Sequence, residues 1–144
     1  MDDHSDPFQL QRFIDAQQPA YHTALTELQA GAKQSHWMWF IFPQLAGLGR
    51  SPLAQFYGIR SLQETRAYLA HAILSGRYRE VTQAICNWSG RKTAAEILGD
   101  VDAMKLKSSL TLFGNASGDS LFAETLQAFF GEPDRATLQI LKRT

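Results

Sequence analysis

Apolar residues recur along this chain at steps of three and four, the mark of helices that bury one face, and two-residue alternation is absent. Asp6 followed by Pro7 reads as an N-cap with proline in the first turn, opening a helix with Leu10, Phe13 and Ile14 inward. Pro19 resets the axis, and Tyr21, Ala24, Leu25 and Leu28 form a second apolar stripe that Gly31 stops. Ser51-Pro52 repeats the cap-plus-proline start. Ser61 with Glu64 and Thr93 with Glu96 have capping-box spacing. Leu74, Tyr78, Val81, Ile85 and Trp88 alternate steps of four and three and predict the central helix. Asp100 caps a helix through Phe113. Asp119 or Ser120 caps another through Phe130 with Phe122, Leu126 and Phe129 inward, and Asp134 caps a last one carrying Leu138 and Leu141.

The run Trp37 to Phe42 has strand-like composition, yet a strand without a partner leaves its backbone unpaired, so a short buried helix is expected there. Phe42 precedes Pro43 and should leave helical geometry. Nearly all the glycines fall between these segments. The expectation is therefore an all-α fold: a single multihelical domain over residues 1–144, an orthogonal bundle of about eight to ten short helices, with residues 1–5 disordered.

Composition narrows the function classes. A chain of 144 residues buries one sizeable core. Lys plus Arg equals Asp plus Glu at 14 each, so no overall field draws it to nucleic acid. Arg77, Arg79, Arg91 and Lys92 could still gather locally, but the balance makes nucleic acid a disfavoured partner. The lone Cys86 rules out an internal disulfide and fits a small buried apolar residue. The acidic start Met1 to Asp6 has no leader pattern and no apolar run spans a bilayer, so no membrane association and a cytoplasmic location are expected.

The stretch Lys33 to Gln44 departs furthest from average composition, with Trp37, Trp39, Phe40 and Phe42 beside Lys33 and His36. If Ser35 caps the aromatic helix, His36 lies in its positive first turn, where an anion would be stabilised and a neutral imidazole could relay a proton. Lys33, Ser35, Trp37, Trp39 and Gln44 are then ligand-binding candidates and His36 a catalytic one. The simpler reading of the aromatics is core. Gly47-Leu48-Gly49-Arg50-Ser51 brings Arg50 to another helix start, a second place for an anion. On the helix after Asp100, Asp102, Lys105 and Ser109 form one strip, flanked by Leu106, Leu110 and Phe113 on one side and Val101, Met104 and Leu112 on the other. That leaves Ala103, Lys107 and Thr111 facing water. The strip is either a structural ion pair or a second wall of the same pocket, with Lys105 and Ser109 on ligand and Asp102 as acid, base or the group that orients His36.

P-loop, dinucleotide, zinc-protease and nucleophile-elbow signatures are missing. His4, His22 and His71 are too scattered for metal-ligand spacing and read as surface or cap residues, so neither metal nor cofactor is expected.

Asp6-Pro7, Phe13 to Gln17, the string Ser35-His36-Trp37-Met38-Trp39-Phe40-Ile41-Phe42-Pro43-Gln44, Gly47-Leu48-Gly49, Tyr57-Gly58-Ile59, Ala67-Tyr68-Leu69 and Lys105 to Phe113 together resemble the bacterial family called domain of unknown function 1810, some members of which are mislabelled calpastatin. The resemblance spans nearly the whole chain. It implies an all-helical fold and no particular activity. Where that family tends to carry a basic residue this chain has Gln34, and where it tends to carry proline this chain has Ala72. Two functional hypotheses follow. One is a site that binds, and in its enzymatic form hydrolyses, a small planar anion such as a nucleotide or ADP-ribose-like compound. The other is a non-catalytic protein–protein interaction module or homodimer that buries part of the aromatic segment.

Overall fold

The structure is a computed structural model that describes residues 6–143; the expected disorder of residues 1–5 and the cap or surface role of His4 lie outside the described residues. Among the described residues there are nine helices: α1 (Gln11–Ala30), α2 (Met38–Ile41), α3 (Pro52–Tyr57), α4 (Leu62–Ala70), α5 (Ala72–Cys86), α6 (Ala94–Leu98), α7 (Asp100–Ala116), α8 (Ser120–Phe130) and α9 (Arg135–Lys142). The all-α expectation is met.

Local signals explain most boundaries. Ser51, Ser61, Asp119 and Asp134 accept amide hydrogen bonds at the starts of α3, α4, α8 and α9, and Thr93 with Glu96 closes the full reciprocal box on α6. His71 caps α5 through its ring nitrogen. Gly31 takes the left-handed conformation at φ 70° and returns its N–H to the Glu27 and Leu28 carbonyls, ending α1. Phe42 leaves helical geometry at ψ 75°, as its proline neighbour requires.

Five expectations need correction. Pro19 does not divide α1; it and Asp15, whose carbonyl loses its donor, both face water, so solvent replaces the missing bond. Asp6 binds the Leu10 and Gln11 amides at 2.8 and 3.0 Å, but residues 7–10 form a turn and the helix starts at Gln11. Gly99, at φ 89°, is the N-cap of α7 where Asp100 was expected. Glu64 reaches back to the Arg60 amide at 3.0 Å, not to Ser61, because its other oxygen is held by Arg12. Gly76 and Gly114 lie inside α5 and α7.

One cluster of buried side chains joins α1, α2, α4, α5, α7 and α8. Tyr78 on α5 is its hub: it stacks on Phe113 at 3.9 Å between centroids and meets Tyr68, Phe122 and Phe42 edge-on. Its hydroxyl, buried with the ring, pairs with Ser109 Oγ at 2.9 Å. Helix α7 packs on α4, α6, α8 and α9, which sets its orientation differently from the reading above. Ala103 and Thr111 are buried and Lys107 is half-buried against Glu132, while Val101 and Met104 stand 71 % and 53 % exposed. A helix apolar on so many sides does not announce which side meets water.

Arg12 staples the turn before α1 to the α3–α4 junction. Its Nε donates to the Phe56 carbonyl, Nη1 to the Phe8 and Gln9 carbonyls, and Nη2 to the Gly58 carbonyl and the Glu64 carboxylate. All five guanidinium donors are used.

Close approach explains Gly58. Residues 44–46 and 59 pair in an isolated parallel bridge, with Ala46 N–H to Ile59 O at 2.6 Å and Ile59 N–H to Gln44 O at 2.9 Å. A Cβ on Gly58 would fall 2.8 Å from both the Ala46 Cβ and the Ala54 carbonyl oxygen. Gly58→Ala is therefore expected to lower stability by about 1–3 kcal/mol, whereas Gly76→Ala, in α5 with open space around it, should raise it by about 0.5–1 kcal/mol. Urea unfolding of the two variants should move in opposite directions.

Candidate functional site

After Gly31 the chain turns back, and Lys33 N–H bonds the Ile97 carbonyl at 2.8 Å, laying the 33–39 segment beside α6 and the start of α7. The donors expected to greet an external anion are engaged from within. Glu27, in the last turn of α1, accepts from Gln34 N–H at 2.8 Å, Ser35 N–H at 3.0 Å, Ser35 Oγ at 2.6 Å and the Trp37 indole N–H at 2.9 Å. Burial pushes the Glu27 carboxyl up, but the bonds from Ser35, Gln34 and Trp37 outweigh it and bring it down to about 2. Ser35 is thus tied to Glu27 and does not cap α2, whose N-cap is Trp37.

The two halves of the expected site meet at Asp102. Lys33 Nζ lies 2.9 Å from Asp102 Oδ2 and Lys105 Nζ 2.9 Å from Asp102 Oδ1. Each ammonium also sits on an indole: Lys33 5.0 Å from the Trp37 ring centroid and Lys105 4.0 Å from that of Trp39. Lys33 Nζ donates to the Ser35 carbonyl as well, at 2.6 Å. The side chains of Lys33 and Lys105 are 9 % and 18 % exposed, so the cluster lies at the surface, partly covered. Burial raises the Asp102 carboxyl, yet the bonds from Lys105 and Lys33 prevail and hold it below the usual carboxylate range. It stays ionised at neutral pH, which suits a counter-ion and not a proton donor.

The remaining candidates are distributed unevenly. Trp37 is buried, in keeping with a core role, while Trp39 is half-buried. His36 is exposed; the Ser35 carbonyl that receives Lys33 is bonded to its nitrogen, so its backbone begins one peptide from the cluster. Trp39 and Gln44 line a crevice of about 10 Å³ with Tyr57 and Gly58, room for about one water and not for a nucleotide. Arg50 is exposed and does not line that crevice, and its carbonyl accepts from Gln55. Ser109 belongs to the core with Tyr78.

Basic residues weighed for nucleic acid are committed elsewhere. Arg77 bonds Gln17, Arg79 pairs with Asp119, and Arg91 and Lys92 cover the Trp88 ring. Cys86 is half-buried against the core, and no group of His, Cys, Asp and Glu among the described residues could hold a metal ion. No helix among those residues is long and apolar enough to cross a membrane.

The sequence reading missed Glu27 and Arg12, and it read Glu64 only as half of a capping box, not as the partner of Arg12. Glu27 left one clue, since an acid in the last helical turn opposes the macrodipole and needs donors from elsewhere. Arg12 and Glu64, 52 residues apart, left none.

A family model described as "Protein of unknown function (DUF1810)" matches residues 7–141. Among solved structures, the crystal structure of the conserved hypothetical protein Rv1873 from Mycobacterium tuberculosis is similar at 47 % identity and a TM-score of 0.93, covering 96 % of this chain and 100 % of that one. No curated protein matches.

Proposed function

As this chain belongs to the DUF1810 family, a name that assigns no activity, we propose from geometry that it binds a small planar anion at the Lys33–Asp102–Lys105 cluster. One observation carries the reading. Of the six N–H donors on the two ammoniums, Lys33 commits two, to Ser35 and Asp102, and Lys105 commits one, to Asp102. Three donors are left beside two indoles, at a place that water reaches, and the net positive charge of the three side chains is met on one side only, by Glu27 across Ser35. A phosphate or carboxylate suits those donors, and the exposed His36, next in the chain to the Ser35 carbonyl that Lys33 binds, is the candidate for contact with the ligand's flat part. No reaction step is assigned.

The test is thermal denaturation with nucleotides and sugar phosphates. A ligand at about a hundred times its Kd adds roughly 2.7 kcal/mol to wild-type stability. In Lys105→Met the ligand-dependent increment should vanish, and in His36→Ala it should shrink. If no anion raises the wild-type melting temperature, or if Lys105→Met keeps the whole increment, the cluster is a structural ion pair.

Val101 and Met104 favour a second reading, an interaction module. They are exposed one turn apart and flank the Asp102–Lys105 strip. It requires self-association or partner binding that Val101→Lys weakens.

A further inference from the structure

We infer that the cleft between the turn before α1 and the α3–α4 junction is a separate site for a small molecule bearing one flat ring and one anionic group. The cleft holds about 380 Å³, a volume in the range of small-ligand pockets. Pro7, Phe8 and Gln9 form one wall and Gln55, Phe56 and Arg60 the other. Its residues come from 7–12 and 55–64, none of which takes part in the lysine cluster, so this inference does not rest on the function proposed above.

Four features point to a ligand. First, the floor is rigid. Arg12 and Glu64 are paired at 2.8 Å beneath the opening, and the four carbonyls that Arg12 binds belong to both walls, so the chain itself fixes the spacing of the walls. Second, the Arg12 and Glu64 charges cancel, whereas the Arg60 side chain is exposed and has no acceptor among the described residues. An uncommitted guanidinium at the rim is a fork for a carboxylate or phosphate.

Third, Phe56 is 57 % exposed, and among the described residues the one ring paired with it is the edge-on Tyr57. A large ring left in water on the wall of a cleft is a stacking surface. Fourth, Gln9 holds φ at 55°, the one left-handed residue other than glycine among those described. Its carbonyl accepts from the Arg12 guanidinium, its side-chain amide is bonded to nothing among the described residues, and the residue lines the cleft. Guanidinium, ring and amide along one cleft match anion, ring and ring substituent of one ligand.

Nucleotides and aromatic acids share this chemistry, and titration followed by amide and arginine side-chain NMR separates them. The probes are adenosine 5′-monophosphate, benzoate, adenosine and inorganic phosphate, each at millimolar concentration. Adenosine 5′-monophosphate or benzoate should give saturable shifts at Gln9, Phe56 and the Arg60 Nε–H, with adenosine and phosphate alone at least about tenfold weaker. Arg60→Gln and Phe56→Ser should each weaken binding roughly tenfold, and Lys105→Met should leave it unchanged. No saturable shift with either ring-bearing anion, equal binding of phosphate alone, or shifts that survive Arg60→Gln would overturn the assignment.

Discussion

Arg12→Met should lower the free energy of unfolding by about 3–5 kcal/mol, the range for breaking a buried ion pair by removing one partner. Methionine fills much of the space of the arginine stem but leaves the Glu64 carboxylate, 4 % exposed, without its cation. It also leaves the carbonyls of Phe8, Gln9, Phe56 and Gly58 without that donor. A single domain typically has about 5–15 kcal/mol in total, so the variant should unfold at much lower urea concentration. Arg12→Lys should recover little, because one ammonium with three donors cannot serve acceptors that a flat fork with five donors serves on two sides. A loss under about 1 kcal/mol would mean the staple is loose in solution.

Glu27→Gln should produce the second large effect, on the order of 2 kcal/mol at neutral pH after allowance for partial exposure to water. Four donors converge on the Glu27 carboxylate, and an amide would turn an NH₂ group toward some of them. The pH dependence follows from the direction of the shift. The folded carboxyl titrates at about 2 against an ordinary 4.5, so its stabilisation is fully present above 4.5 and is lost as pH falls toward 2. Wild type and variant should therefore differ most at neutral pH and converge in acid. For a chain of this length the difference corresponds to roughly 6 °C in melting temperature. A gap that stays constant down to about pH 2 would show that the carboxylate charge contributes nothing.

Both residues were hidden in the sequence for the same reason. A cap is written within four residues of where it acts, so Ser51, Thr93 with Glu96, Asp134 and Gly31 could be read directly. The stripe of α5 was legible too, because Leu74, Tyr78, Val81 and Ile85 lie on one narrow face. Glu27 acts across a turn and Arg12 across 52 residues, where spacing carries no signal. The strip Asp102–Lys105 was legible as an inward pair, but that Lys33 completes it depends on where α6 leaves the preceding loop. The error on α7 is instructive. Its exposed side was assigned to Ala103 and Thr111 because Val101 and Met104 are more apolar, yet the start of α9 arrives on that side, where the Asp134 N–H donates to Thr111 Oγ1, and Ala103 is buried as well. The aromatic segment divided the same way, with Trp37 turned into the core and Trp39 left half outside, a split that composition cannot show.

All three tryptophans of this chain carry a cation on the ring: Lys33 on Trp37, Lys105 on Trp39, and Arg91 with Lys92 on Trp88. Indole emission responds to charge placed over its face, so the colour and brightness of the native fluorescence report on where those lysines and arginines are. Occupation of Lys105 would be visible through Trp39 without any attached dye.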